Sequence, residues 1–399
     1  MTIPFDARAP SFDAEAINET IQRALASAGL DTTSGPMHGV TETIRRALAS
    51  AGLSHRASSP ATSDSVIDVV ARVVGVPEDR IGEPASKPPV REAEAPGSFE
   101  AREFGNQAGT LSYKVYVPAQ ASQASQAPRP MVVMLHGCTQ SANDFAAGTR
   151  MNLLAEKHGF LVVYPEQGAH SNASKCWNWF RQQGQVRDVG EPSLIAGIVR
   201  EVAARHGADP RRIFVAGLSA GAAMAVVLGE AYPDLFAGVG AHSGLPYGSA
   251  HDIPSAMAAM KGGRSGLPGL KAAPGIAAPR KAARAVPTIV FHGDRDPTVH
   301  QANGIEIARQ ARDAHLALAE DGAWTTSTHS GRSPGGRGYT RIVHASGTGQ
   351  ACIEIWTLHG AGHAWSGGDA SGSYTDGKGP DASAEMVRFF LALPRAGSA

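Results

Sequence analysis

The segment RIFVAGLSAGAAMAVVLGEA, residues 212–231, decides the fold. Its apolar start, 212–217, predicts a buried strand, and its apolar second half, 220–231, predicts a helix. The two are joined by the GxSxG sequence of residues 217–221, whose glycines suit a turn in which a Cβ would clash with the strand or the helix. Such a turn lifts a serine hydroxyl clear of a sheet and sets it against a helix N-terminus. We therefore predict that Ser219 is a nucleophile.

Further apolar segments alternate around this one. SFEAREF and TLSYKVYVP predict an antiparallel hairpin. Strands are predicted at 131–135, 160–165, 236–244, 286–293 and 352–360, and helices at 193–207, 255–260 and 381–393. Strands that alternate with helices predict an α/β fold with a mostly parallel sheet and helices on both faces.

The chain is predicted to have an N-terminal extension before its main domain. The sequence predicts a helical extension at 1–76, a linker at 77–97, a main domain at 98–393 and a tail at 394–399. The extension contains an internal repeat, 17–30 and 40–53, and each copy predicts a short amphipathic helix; a third helix is expected at 64–76. Short amphipathic helices need a partner surface. That surface is a granule, the main domain or a second copy of the chain; an arm without a docking role is the remaining interpretation.

Composition excludes several classes of protein. Lys+Arg and Asp+Glu both number 36, so no basic field for nucleic acid is expected. No apolar run is long enough to predict a membrane span. The N-terminus lacks a basic region followed by an apolar region, so we do not expect a secretory signal. We therefore expect a cytoplasmic location. Three cysteines in a chain of this length are too few for a disulfide scaffold. Because they form no CxxC pair, we expect no metal site, and we expect no cofactor.

A serine nucleophile needs a general base, and the base needs an orienting acid. In this kind of fold the three follow the order serine, acid, histidine along the chain. After Ser219, the strand at 286–293 is followed by Asp294 and Asp296, either of which fits the acid. The last strand is followed by His359 and His363; we favour His363, because two nearby glycines let its loop bend over the serine.

Ester chemistry also needs backbone N–H groups that hold the developing negative charge. One candidate is the N–H of Ala220, directly after the nucleophile. The other is expected in the His136-Gly137-Cys138 loop that follows the strand at 131–135.

Seven motifs occur together in order: LHGCTQ (135–140), YPEQ (164–167), CWNWF (176–180), GEP (190–192), GLSAG (217–221), HGDRDPTV (292–299) and GHAWSGG (362–368). Together, over roughly 98–393, they resemble the catalytic domains of type 1 poly(3-hydroxybutyrate) depolymerases, a family shared by feruloyl and acetylxylan esterases. The resemblance implies an α/β-hydrolase fold with Ser219 as nucleophile, Asp296 as acid, His363 as base and the Cys138 N–H as an oxyanion donor.

The resemblance also implies a substrate. We expect hydrolysis of short-chain poly(3-hydroxyalkanoate) or its oligomers, with a feruloyl or acetylxylan esterase as the alternative and a granule-surface binding protein as a rival from another class. Without a secretory signal or a C-terminal polymer-binding domain, the sequence resembles the intracellular branch of the family. The expected partner is a polyester granule surface or a soluble ester, in the cytoplasm and in association with granules; the sequence does not fix the oligomeric state.

Three tryptophans, Trp177, Trp179 and Trp365, lie within the motifs and are candidates for contact with an acyl chain, or else for core packing. Cys138 and Cys176 also lie within motifs. They are candidates for a disulfide that braces the oxyanion loop, although a reducing cytoplasm argues against a disulfide. The basic insertion at 245–286 is interpreted as a lid or as a solvated surface loop.

Overall fold

The computed structural model describes residues 95–119, 128–262, 284–318 and 324–395. The predicted helices of the 1–76 extension and most of the 77–97 linker lie outside the described residues, as does the middle of the 245–286 insertion. The domain boundaries and the interpretation of the insertion therefore stay predictions. Within the described ranges, no helix is both long enough and apolar enough to cross a bilayer.

The described strands are β1 (Ser98–Asn106), β2 (Gly109–Val117), β3 (Arg129–Leu135), β4 (Leu161–Glu166), β5 (Ala208–Leu218), β6 (Gly238–His242), β7 (Thr288–Gly293), β8 (Thr325–Arg332), β9 (Gly338–Ala345), β10 (Ala351–Leu358), β11 (Trp365–Ser366) and β12 (Thr375–Asp376). The described helices are α1 (Ala142–Thr149), α2 (Met151–His158), α3 (Gly190–His206), α4 (Ala220–Ala231), α5 (Ile253–Met260), α6 (Ala302–Leu318) and α7 (Ala382–Ala392), with a 3₁₀ turn at Gln182–Gln185.

One large sheet organises the described residues, in the order β1-β2-β4-β3-β5-β6-β7-β10-β9-β8. Its six central strands, from β4 to β10 in that order, are parallel to one another. An antiparallel hairpin lies at each edge, β1-β2 on one side and β9-β8 on the other. This is the mostly parallel sheet that the alternation of strands and helices predicts.

The helices cover both faces of the sheet because the central strands are apolar on both faces. In β3, Met131, Val133 and Leu135 face the core formed with α3, α4 and α6. The alternate residues Val132 and Met134 face the core formed with α1, α2 and α7. All five side chains are at most 1% exposed, so the strand is buried on each side.

The register aligns the carboxyl ends of the central strands. Leu135 pairs with Gly217, Leu218 with His242, and His242 with Phe291. The loops after β3, β5, β7 and β10 therefore leave from one edge of the sheet. Parallel α/β sheets bind ligands at this edge.

Several elements were not predicted from the sequence: α1, α2, α6 and the β8-β9 hairpin. β8 has the sequence TTSTHSGR, and most of its residues are exposed on the outer edge of the sheet. It therefore lacks the alternating apolar residues by which a half-buried strand is recognised. α1, ANDFAAGT, has only eight residues and contains weak helix formers; Ser141 caps it by accepting a hydrogen bond from the Asp144 N–H.

Candidate active site

Ser219 forms the turn between β5 and α4, in a backbone conformation that is rare for a residue with a Cβ. Its φ is 56° and its ψ is −118°. Its N–H donates to the His242 carbonyl at 2.9 Å, and its carbonyl accepts from the Ala223 N–H at 2.9 Å. Strained backbone of this kind persists only where surrounding structure enforces it, and it is concentrated at functional sites.

The glycines of the turn are required by close backbone contacts. A Cβ on Gly221 would lie 2.1 Å from the Leu135 carbonyl oxygen, and one on Gly217 would lie 2.4 Å from the Gly221 carbonyl carbon. Both obstacles are backbone atoms, which cannot rotate away. This is the clash that the two glycines of the GxSxG sequence predict.

Asp296 and His363 form a pair at the same edge of the sheet, in which the aspartate is fully buried and the histidine largely so. Asp296 lies after β7, and its Oδ2 accepts a hydrogen bond from His363 Nδ1 at 2.7 Å. Its other oxygen accepts from the N–H groups of Thr298 (2.9 Å) and Val299 (2.8 Å). Burial raises the pKa of the Asp296 carboxyl, but these hydrogen bonds outweigh burial and leave its pKa below the ordinary value. The carboxylate is thus held ionised and fixed against the imidazole.

The alternative residues, Asp294 and His359, form a separate and exposed pair. His359 Nδ1 lies 3.1 Å from Asp294 Oδ2, and the Gly360 N–H donates to Asp294 Oδ1 at 2.7 Å. The other ring nitrogen of His359 lies 2.9 Å from Thr340 Oγ1 on β9. The side chain of His359 is 47% exposed against 12% for His363. Both ring nitrogens of His359 are engaged, so the geometry favours Asp296 and His363 as the acid and base candidates.

The loop after β3 is tied to a neighbouring segment by several contacts. Cys138 and Cys176 form a disulfide. The Thr139 N–H donates to the Ser174 carbonyl at 2.7 Å, and Trp177 Nε1 donates to the His136 carbonyl at 3.1 Å. The loop that carries the Cys138 N–H is therefore fixed on both sides of that residue.

The second candidate donor, the N–H of Ala220, begins α4. The first N–H groups of a helix have no partner within the helix. A group at this position is thus available to an anion and is supported by the helix dipole.

The structure buries the three motif tryptophans, which favours core packing over contact with a substrate; substrate contact stays a prediction. Trp177 is 0% exposed, Trp365 is 1% exposed and Trp179 is 6% exposed. The Trp365 indole N–H donates to Ser383 Oγ at 3.0 Å, and its ring packs against His242 and Phe145. These side chains fill the core beneath the candidate site, which was the alternative interpretation of the sequence.

Glu191 was not singled out in the sequence, although its GEP motif was. Its carboxylate accepts hydrogen bonds from the backbone N–H of Asn178, from the Asn178 side chain and from Gln167 Nε2, at 2.5 to 2.8 Å. Burial raises the pKa of Glu191, and these donors oppose the rise. Glu191 thus joins the YPEQ and CWNWF motifs into one support for the oxyanion loop.

Two buried histidines were also missed, His136 and His242. His136 Nε2 accepts from the Gln167 N–H at 3.0 Å, and its other ring nitrogen faces the Gly137 carbonyl at 2.7 Å. His242 Nε2 accepts from the Ser366 N–H at 3.0 Å. No sequence pattern distinguishes a histidine that holds backbone from one that transfers protons.

Across the part of the chain that the structure describes, no group of three or more His, Cys, Asp or Glu is arranged to hold a metal.

The mostly parallel sheet has a strained serine turn and an acid–histidine pair at its carboxyl edge. These features define an α/β-hydrolase fold. Residues 111–326 match the family model described as esterase PHB depolymerase. The match covers more than half of the chain, and the chain belongs to this family.

Relatives within the family are esterases of two kinds. The chain is 34% identical over 276 residues to a poly(3-hydroxyalkanoate) depolymerase C of Paucimonas lemoignei. That alignment covers 65% of this chain and 60% of the relative. It is 32% identical over 221 residues to a probable acetylxylan esterase A of Aspergillus fumigatus. This second alignment covers 52% of this chain and 56% of the relative. The chain therefore spans about 60% of the length of these relatives. By name, these two relatives are a polyester depolymerase and an acetylxylan esterase.

A solved structure supports the fold. An acetyl xylan esterase from Aspergillus awamori aligns with a TM-score of 0.54 at 21% identity, covering 73% of this chain and 99% of that one. The α/β-hydrolase fold implied by the sequence motifs is thus confirmed.

Proposed function

We propose that the protein is a serine esterase that hydrolyses short-chain poly(3-hydroxyalkanoate) or its oligomers. The observation that carries the proposal is the hydrogen bond between the buried Asp296 and the largely buried His363, at the sheet edge where the strained Ser219 turn lies. The substrate class rests on the similarity to the depolymerase of Paucimonas lemoignei. Its natural setting would be a polyester granule or its released oligomers.

In the proposed reaction, Ser219 Oγ attacks the ester carbonyl carbon while His363 Nε2 takes the hydroxyl proton. Asp296, on the opposite ring nitrogen, stabilises the imidazolium that results. The N–H groups of Cys138 and Ala220 hold the negative oxygen of the tetrahedral intermediate.

Collapse of that intermediate breaks the ester C–O bond, and His363 returns its proton to the departing alcohol. The acyl group is then bound to Ser219 as an ester. Water, deprotonated by His363, attacks this ester, and a second collapse releases the acid and restores the Ser219 hydroxyl. The chemistry balances with water as the only co-reactant.

The second candidate function is a feruloyl or acetylxylan-type esterase. Its support is the 32% identity to the acetylxylan esterase of Aspergillus fumigatus. The three tryptophans favour neither substrate, because each of them is at most 6% exposed.

A substrate panel separates the two functions. Wild-type protein is compared on native amorphous polyhydroxybutyrate granules, soluble 3-hydroxybutyrate oligomers, acetylated xylan, a feruloyl ester and a p-nitrophenyl ester, with Ser219→Ala as control. The proposal predicts release of 3-hydroxybutyrate at a higher kcat/KM than hydrolysis of the xylan or feruloyl esters. Efficient deacetylation of xylan without 3-hydroxybutyrate release would favour the alternative.

A further inference from the structure

His242 occupies the centre of the carboxyl edge of the sheet. It is the last residue of β6, opposite Leu218 of β5 on one side and Phe291 of β7 on the other. Its side chain is completely buried. It therefore lies between the strand that leads to Ser219 and the strand that leads to Asp296.

This one residue bonds to both loops that carry the reacting groups. Its carbonyl accepts the N–H of Ser219 at 2.9 Å. Its ring Nε2 accepts the N–H of Ser366 at 3.0 Å, and Ser366 lies three residues after His363 in β11. The nucleophile turn and the loop of the base are thus joined through a single residue, by its backbone carbonyl to the first and by its ring to the second.

The ring has one tautomer and little freedom to move. A backbone N–H only donates, so Nε2 is the unprotonated nitrogen and Nδ1 carries the proton, 3.2 Å from Ser243 Oγ. The ring stacks with Phe291 at 5.8 Å and with Trp365 at 5.2 Å between centroids. Burial lowers the pKa of His242 to about 3, so the ring stays neutral and Nε2 stays an acceptor.

We propose that His242 is a positioning residue that sets the separation between Ser219 and His363. The inference rests on the roles given to those two residues in the proposed function. Proton transfer requires the serine hydroxyl and the base nitrogen to be within hydrogen-bond reach, although they lie on loops after different strands. A displacement of about 1 Å at such a site costs about 100-fold in rate.

Two substitutions separate this role from simple packing. In His242→Gln the side-chain oxygen can occupy the place of Nε2 and still accept the Ser366 N–H. In His242→Asn the oxygen reaches only the place of Nδ1, so the bond to Ser366 is lost. Both variants lose the ring stacking equally. We expect His242→Gln to keep kcat within a few-fold, and His242→Asn to lose about 10- to 100-fold in kcat with KM unchanged.

The measurement is steady-state kinetics on a p-nitrophenyl ester, below the unfolding transition of each variant. His315→Gln, which replaces a partly buried histidine of α6 that packs against Trp324, is the matched control and should keep wild-type kcat. Equal kcat for the Gln and Asn variants, whether high or low, would overturn the proposal, as would a loss confined to KM. If only the Gln variant folds, a tenfold loss of its kcat would overturn it too. The proposed function is tested separately by Ser219→Ala, whose retained activity would refute it whatever His242 does.

Discussion

At the scale of single residues, burial distinguishes two aspartate–histidine pairs. Their aspartates are only two positions apart in the sequence, and their histidines only four. The Asp296 side chain is fully buried and accepts three hydrogen bonds. Asp294 is partly exposed, and its histidine partner is bound to Thr340 as well. An ion pair in contact with water contributes little, whereas a buried carboxylate acts on its partner through a low dielectric.

Asp296→Asn is therefore expected to lower kcat by about 10³- to 10⁴-fold, because a neutral amide does not stabilise the imidazolium. Asp294→Asn is the matched control, since it makes the same change of atoms in the neighbouring exposed pair. Its kcat should stay within a few-fold of wild type. Steady-state kinetics on a p-nitrophenyl ester compare the two, and the reverse ranking would show that Asp294 is the acid.

At the scale of elements, the site depends on how closely β3, β5 and α4 approach one another. The GxSxG turn fits because Gly221 lies against the backbone of β3. A side chain there could be accommodated only by moving a central strand. The turn is thus a packing requirement as well as a catalytic one.

Gly221→Ala should lower the free energy of unfolding by at least about 3 kcal/mol or prevent folding altogether. Gly105→Ala, in β1, is the control, because its added Cβ would meet its nearest neighbour at an ordinary 3.5 Å. Urea denaturation of both variants measures the difference. A Gly221→Ala protein as stable as the control would contradict the packing argument.

The Cys138–Cys176 disulfide closes a loop of 38 residues at the oxyanion donor. A cross-link of that length stabilises a fold by about 4 kcal/mol in the chain-entropy model. Titration of unfolded, unreduced protein should find one thiol, that of Cys352. Three thiols would show that the disulfide is absent.

Cys176→Ala should lower thermal stability and, by loosening the loop, also lower kcat.

The sequence predicted the central elements well because their signals are local. The strands β3, β5 and β7 are continuous apolar runs, and the Ser219 turn has a motif of its own. What the sequence could not give depends on tertiary contacts. Three such contacts join residues that are far apart in the chain: Trp365 with Ser383, His242 with Ser366, and His359 with Thr340. The polar strand β8 was missed because it packs as an outer strand and needs no apolar face.

At the scale of the whole molecule, the remaining predictions concern compartment and partners. Disulfides persist mainly in oxidising compartments, so the Cys138–Cys176 bond counts against the cytoplasmic expectation, which stays a prediction. Association with a granule through the 1–76 extension also stays a prediction, since that segment lies outside the described residues.

A shortened chain that begins at Glu94 tests the extension. Amphipathic helices can lie on an apolar surface with their basic residues outward, so we expect this chain to co-sediment less with polyester granules. Turnover of soluble p-nitrophenyl esters should be unchanged and serves as the internal control. Equal co-sedimentation would contradict granule docking, and loss of soluble-ester activity or thermal stability would show that the extension supports the catalytic fold.

If ester hydrolysis proceeds through an acyl group on Ser219, that group can be trapped. Wild-type protein mixed with a short-chain p-nitrophenyl ester and quenched in acid should carry the acyl mass on the peptide that contains Ser219. Ser219→Ala should carry none and should lose about 10⁴-fold or more in kcat while remaining folded. Turnover by folded Ser219→Ala near the wild-type rate, or an acyl group found on another residue, would show that Ser219 is not the nucleophile.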